Sequence, residues 1–151
     1  MIQRIQTLYL LLAQLLIFAM LFMPLAHFIK PDGETYQLIW YGVFSSGKEL
    51  VMNAYPLAIL MVVIMLLYVV ILFLYKNRVV QMRVCIYNML LLVGLMVLIW
   101  YYSHQAGKEF QVERFFKIPA LFPVVSAFLT YLAFRAIRKD EWLVRSIDRI
   151  R

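Results

Sequence analysis

The chain has little cysteine, little charge and little glycine, and each shortage excludes something. Cys85 is the single cysteine, so no disulfide can close within the chain, no C-x-x-C redox pair exists and no cysteine cage for a metal can form. It follows Val84 in an apolar run and reads as a small buried hydrophobe. Charged residues make up 15% of the chain, and none falls near the centre of a long apolar run, where proton relays and ion pathways place them. That argues against a pump, a proton-coupled transporter or a charge-selective channel. Gly94 is the one glycine inside such a run, so no G-x-x-x-G packing face exists. There is no Gly-rich phosphate loop, no H-E-x-x-H, no nucleophile–base set and no mirrored pair of broken helices. No motif assigns an enzymatic activity.

What remains is mostly apolar: 65% of 151 residues, against about 45–50% in an ordinary soluble domain. A single domain of this size cannot hide so much apolar surface from water, so lipid must be its solvent. A bilayer core of about 30 Å needs about 20 apolar helical residues, and four segments qualify, at about 7–29, 55–75, 84–103 and 119–137. The first, broken only by Gln14, Pro24 and His27, is too long for a signal-peptide core and reads as a retained span, with a local kink at Pro24. Pro56 and Pro119 stand where the second and fourth spans begin, in the first turn, where a missing N–H costs nothing. Asn53 precedes the second span and can cap it. Ser126 and Thr130 can bond back to their own helix. The expected fold is an all-α transmembrane four-helix bundle in one integral membrane domain.

Four spans put both termini on one side. That side carries Arg4, Lys76, Arg78, Arg83, Arg135, Arg138, Lys139, Arg145, Arg149 and Arg151; the other carries Lys30, Lys48, Lys108, Arg114 and Lys117. Short cytoplasmic loops carry the Lys/Arg excess, which places both termini inside and the loops 30–54 and 104–118 outside. The first of these loops has turn chemistry at Lys30-Pro31-Asp32-Gly33. Thr35 to Phe44 then reads as a strand with Tyr36, Leu38 and Trp40 on one face, and Ser45-Ser46-Gly47 as a turn into a short return strand from Glu49 to Met52. Glu109-Phe110-Gln111-Val112-Glu113-Arg114 alternates with period two. Since a two-stranded hairpin is marginal alone, the expectation is a small extracytoplasmic β-sheet, with the second loop adding a third strand at the outer end of the bundle.

The tail at 138–151 is an amphipathic basic helix, with Leu143, Ile147 and Ile150 on one face. Arg138, Lys139, Trp142, Arg145 and Arg149 are its candidate contacts, either with the anionic inner leaflet or with a cytoplasmic protein partner. No nucleic-acid-binding motif accompanies the charge. Within the spans, Gln14 and Asn88 are the deepest polar residues. Buried amides in lipid usually hydrogen-bond across helices; alternatively they hold a lipid headgroup or a quinone. His27 and His104, the only histidines, fall at the outer ends of the first and third spans and are candidates for a metal or haem, although no carboxylate or cysteine completes a ligand set. No cofactor is expected.

The opening Met1-Ile2-Gln3-Arg4-Ile5-Gln6-Thr7-Leu8-Tyr9-Leu10-Leu11-Leu12-Ala13 resembles the domain-of-unknown-function 4293 family (DUF4293). So does the closing Arg135-Ala136-Ile137-Arg138-Lys139-Asp140-Glu141, with Val144-Arg145-Ser146 and Asp148-Arg149. The resemblance extends over the whole chain and implies a four-span inner-membrane protein of Bacteroidetes; it transfers no activity and no catalytic residue. It puts Gln3, Arg4 and Gln6 on a hydrophilic inner face beside the C-terminal helix. The layout is also similar to that of claudins, without the cysteine pair and tryptophan motif of their first outer loop. The leading functional expectation is a non-enzymatic accessory or scaffold subunit of a membrane complex. A lipid- or quinone-binding protein comes second, and a haem or metal redox subunit is remote.

Overall fold

A computed structural model describes residues 2–30, 33–47, 49–110 and 113–148. The main elements are α1 (Ile2–Ala19), β1 (Ala26–Ile29), β2 (Thr35–Ile39), β3 (Gly42–Ser45), β4 (Leu50–Asn53), α2 (Tyr55–Phe73), α3 (Arg78–Phe110), β5 (Glu113–Phe116) and α4 (Phe122–Asp148). Single 3-10 turns at Leu74–Lys76 and Ile118–Leu121 lead into α3 and α4. Three helices are long and apolar enough to cross a membrane, over Tyr55–Phe73, Arg78–Lys108 and Ile118–Leu143, and α1 supplies a shorter apolar helix. The helices pack as a ring, α1 against α2, α2 against α3, α3 against α4 and α4 against α1. Successive helices run in opposite directions, so the strands gather at one end and the start of α1 and the end of α4 at the other.

One sequence spacing builds this ring. The buried residues of α2 include Leu57, Met61, Ile64, Tyr68 and Ile71; those of α3 include Gln81, Cys85, Asn88, Leu92, Leu95, Ile99, Tyr102 and Ala106. In α4 they are Pro123, Ser126, Thr130, Ala133 and Ile137, and on α1 Gln6, Leu10, Ala13 and Ile17, continued by Met20. Each stripe advances by alternating steps of four and three, the seam of antiparallel helices packed about 20° apart. The outer faces are equally apolar: Leu8, Leu15, Ile59, Leu66, Leu90, Val97 and Phe128 are all exposed, as suits surface solvated by acyl chains.

The first apolar run departs from expectation. Its helix stops at Ala19 and does not reach residue 29, and Pro24 follows a turn rather than kinking a helix. Pro24 removes a backbone donor and forces Met23 out of the helical region. The rest of the run, Ala26–Ile29, becomes the inner strand of a five-stranded antiparallel sheet of order β4-β3-β2-β1-β5. A strand in that place carries apolar residues as a span does. Its Ala26 and Phe28 join Tyr36, Leu38 and Val43 in the same core as the helices.

The predicted strand from Thr35 to Phe44 divides into β2 and β3 at a two-residue turn, Trp40-Tyr41, so Trp40 leaves the face shared by Tyr36 and Leu38. The second loop does add a strand, but later and elsewhere than expected. Glu109 and Phe110 end α3, Gln111 and Val112 lie outside the described residues, and β5 pairs with β1, not with the hairpin. Asn53 ends β4 and does not cap α2; Ala54 occupies the cap without a side-chain hydrogen bond, while Pro56 opens the helix as expected. Gly33, at φ +83°, takes a left-handed conformation open to glycine in the β1–β2 turn, where Lys30 accepts from the Gly33 amide and donates to the Glu34 carbonyl.

Gly42 holds the β2–β3–β4 meander together. A Cβ there would stand 2.8 Å from the Met52 carbonyl oxygen and 2.6 Å from Leu50 Cδ1, and the backbone oxygen cannot yield. Gly42→Ala is expected to cost about 1–3 kcal/mol, the range for overpacking, and to lower the unfolding temperature in detergent. Gly47→Ala, at a position with open space, is the control and should melt as the native chain does.

Candidate functional site

The seam that closes the bundle is not uniformly apolar. Tyr68 is fully buried on α2, and its hydroxyl lies 2.7 Å from Thr130 Oγ1 on α4, across the ring. Thr130 Oγ1 lies 2.7 Å from the Ser126 carbonyl oxygen one turn back, the expected back-bond. Ser126 Oγ in turn donates to the Ala13 carbonyl of α1 at 3.1 Å. These bonds tie α2, α4 and α1 together in the interior, where each side chain at a four–three position has no alternative partner in lipid.

Asn88, on α3, completes the ring of helices but not the network. It is fully buried, lies beside the Tyr68 hydroxyl, and neither its Oδ1 nor its Nδ2 closes a hydrogen bond. The cross-helix amide bond expected of Asn88 is made instead by Gln81, whose Nε2 donates to the Ile71 carbonyl of α2 at 3.0 Å. Gln14 is half-buried on the flank of α1, outside the seam. Gln6, expected on a hydrophilic face, is instead in the seam, because its spacing to Leu10 and Ala13 puts it on the buried stripe. Gln81 was not singled out from the sequence, although its register with Cys85 puts it on the buried stripe.

The histidines sit on different elements. His27 is in β1, opposite Gln37 and Phe115. Burial, and then the Lys117 charge, hold its imidazole below the usual histidine range, and its Nε2 is buried without a hydrogen-bond partner. A neighbouring cation is poor company for a metal ion. His104 lies on α3 with its ring parallel to Trp100, centroids 5.3 Å apart. Among the described residues no three His, Cys, Asp or Glu side chains gather in a way that could hold a metal. Beside Trp100, an apolar groove of about 410 Å³ runs between α3 and the start of α4, lined by Met96, Ile99, Leu121 and Val124, with Lys117 among its residues.

At the opposite end α4 continues past its apolar part without a break to Asp148. Arg78, the first residue of α3, holds this extension: its guanidinium lies 3.1 Å from the Asp140 carboxylate and donates to the Asp140 carbonyl at 3.2 Å. The pair rests on charge and on the carbonyl bond more than on an aligned carboxylate hydrogen bond. Arg138, Lys139 and Trp142 are exposed on the extension, Arg145 falls within the helix, and Arg149 lies outside the described residues.

The two buried polar positions on α2 and α3 predict different outcomes. Tyr68→Phe removes the diagonal bond and should destabilise the bundle by about 0.6–1.7 kcal/mol, from the average to the largest value for hydrogen bonds between membrane helices. Asn88→Leu removes a fully buried amide that stands beside the Tyr68 hydroxyl without closing a hydrogen bond, and should leave stability unchanged or raise it by about 1 kcal/mol. Thermal unfolding of both variants in one detergent checks the pair; an Asn88→Leu protein that melts well below the native chain would sink this account of the seam.

No curated protein matches the chain. A family model described as a domain of unknown function matches residues 2–150. That match covers nearly all of the sequence, including both ends from which the resemblance was read, and the chain therefore belongs to the DUF4293 family.

Proposed function

We propose that this protein is a four-span inner-membrane protein with both termini in the cytoplasm and its sheet outside, serving as a non-enzymatic accessory or scaffold subunit of a membrane complex. The fourth span is α1. Its 18 residues extend about 27 Å at 1.5 Å per residue, close to the thickness of a bilayer core. It packs against α4 and α2, and its outward side chains, Leu8, Leu11, Leu15 and Phe18, are exposed. A helix in that position shares whatever solvent surrounds its neighbours. The Lys/Arg excess at the end bearing the termini supports the orientation.

The accessory role rests on the unbroken course of α4. A helix of 27 residues is about 40 Å long and outruns a core of about 30 Å. Because the helix is unbroken where its basic part begins, that part continues the spanning part and does not lie as a separate helix along the leaflet. It stands out from the bilayer, braced by Arg78, with Trp142 70% exposed at its side. A rigid basic handle bearing an uncovered tryptophan suits a protein contact, since aromatic and basic residues anchor interfaces.

A second reading, a lipid- or quinone-binding protein, draws on the apolar groove beside Trp100, where Lys117 could meet an anionic or carbonyl head and Met96 and Leu121 an acyl or isoprenoid tail.

Two measurements test the proposal. A photo-crosslinking residue at position 142, activated in native membranes, is expected to give one discrete protein–protein product that weakens in the Arg138→Glu, Lys139→Glu variant; lipid adducts alone would refute the docking role. For topology, Cys85 is buried and leaves a clean background for maleimide labelling. An impermeant maleimide should label Gly47→Cys in intact spheroplasts and Ser146→Cys only after lysis. The reverse pattern, or labelling of both in intact spheroplasts, would overturn the orientation.

A further inference from the structure

At the end of the bundle that carries the termini, the seam opens into a cavity of about 180 Å³ between α1, α2 and α3, lined by Gln6, Thr7, Leu72, Tyr75, Arg78 and Gln81. A single water needs roughly 10–15 Å³, so the space accepts a polyatomic group. Its walls are rich in donors. Gln6 is only 7% exposed, and its Nε2 is buried with no acceptor, an arrangement that costs free energy unless something accepts that bond. Arg78 carries five N–H donors, and its two contacts with Asp140 leave others over. Gln81 is held in place by its bond to the Ile71 carbonyl.

Arg78 and Gln81 also bring the start of α3 to the cavity wall. The amide of Gln81 bonds the Asn77 carbonyl at 3.0 Å, so the amides of residues 78–80 precede the first helical bond and have no acceptor within the helix. The helix dipole adds partial positive charge at the same place. An unsatisfied buried amide donor and a guanidinium line one volume beside a helix start, and the complement to them is an oxygen-rich anion. Tyr75, 57% exposed, also lines the cavity.

We propose that this cavity is an oxyanion site, taking a phosphate group, either the phosphodiester of a phospholipid headgroup or free inorganic phosphate, with Gln6 Nε2 and the Arg78 guanidinium as its principal donors. The site lies at the other end of the helices from the groove beside Trp100; it shares Arg78 with the brace of α4, and substitutions at Gln6 probe it without touching that brace.

The test uses the full chain, delipidated in a mild non-ionic detergent and examined by native mass spectrometry. Three probes are added separately: a short-chain phosphatidylglycerol, the matching diacylglycerol without phosphate, and inorganic phosphate alone. The native chain should retain phosphatidylglycerol, phosphate or both, and not diacylglycerol. Gln6→Leu removes the donor and fills space without introducing charge; Gln6→Glu sets a carboxylate against the anion. Retention should fall on the order of tenfold in the first and further in the second, while Gln14→Leu, elsewhere on α1, keeps native retention. Phosphatidylglycerol without free phosphate identifies a lipid site, and the converse a soluble anion. Equal retention of diacylglycerol, no adduct with either phosphate probe, or an undiminished adduct in Gln6→Leu would overturn the proposal. An unfolding scan of each variant separates loss of the site from loss of the fold.

Discussion

The helical bundle depends on the alternation of four and three along the buried stripe of each helix. The helices share apolar outer and inner surfaces, so removal of surface from water cannot tell one face from the other, and lipid tails are as apolar as leucine. Which face turns inward is decided by fit and by the few polar groups that need a partner. Tyr68, Gln81, Ser126 and Thr130 all occupy seam positions and all find bonds there. Were α2 to rotate, Tyr68 would carry its hydroxyl toward acyl chains, at a cost of several kcal/mol for an unmet polar group in hydrocarbon. The polar minority therefore sets the rotation of each helix, and the apolar majority fills the space that this rotation defines.

The same logic explains what could be read from the sequence. Three helices long and apolar enough for membranes, a family, and strands in both loops were legible, because length, apolar content and period-two alternation survive without knowledge of neighbours. The seam was not. In a soluble bundle, polar residues mark the outer face and the stripe stands out; here Leu90 outside and Leu92 inside carry the same chemistry. The end of α1 was missed for a related reason. Leu25 to Ile29 reads as membrane span, yet the run owes its apolar character to a place inside a sheet, with β2 on one side and β5 on the other. Pro24 was the available signal, and its meaning depended on what followed it.

Of the candidate residues, Asn88 is buried within the bundle, but the cross-helix amide bond belongs to Gln81. Gln14 proved peripheral to the seam because it stands next to Ala13 and not in register with it. Gln6 looked hydrophilic within a polar opening motif, and its position one turn before Leu10 outweighed its chemistry. That the basic tail is helical was legible, as far as Asp148. That it continues α4 in line could not be seen, because nothing between Ile137 and Trp142 signals either a break or its absence; the Arg78–Asp140 pair, joining residues far apart in sequence, holds it against α3.

The order β4-β3-β2-β1-β5 carries a consequence for biosynthesis. Strands β1 to β4 emerge from the ribosome before α2, but β5 follows α3. During synthesis the meander exists for a time with the far edge of β1 bare, a row of unpaired amides and carbonyls next to the apolar side chains of Phe28 and Ile29. Only when the chain has crossed back behind α3 does β5 cover that edge, through Phe28 against Arg114 and Ile29 against Glu113. The sheet thus serves as a latch that closes late. A nascent chain stalled before β5 would present an open strand edge, a template for pairing with another chain.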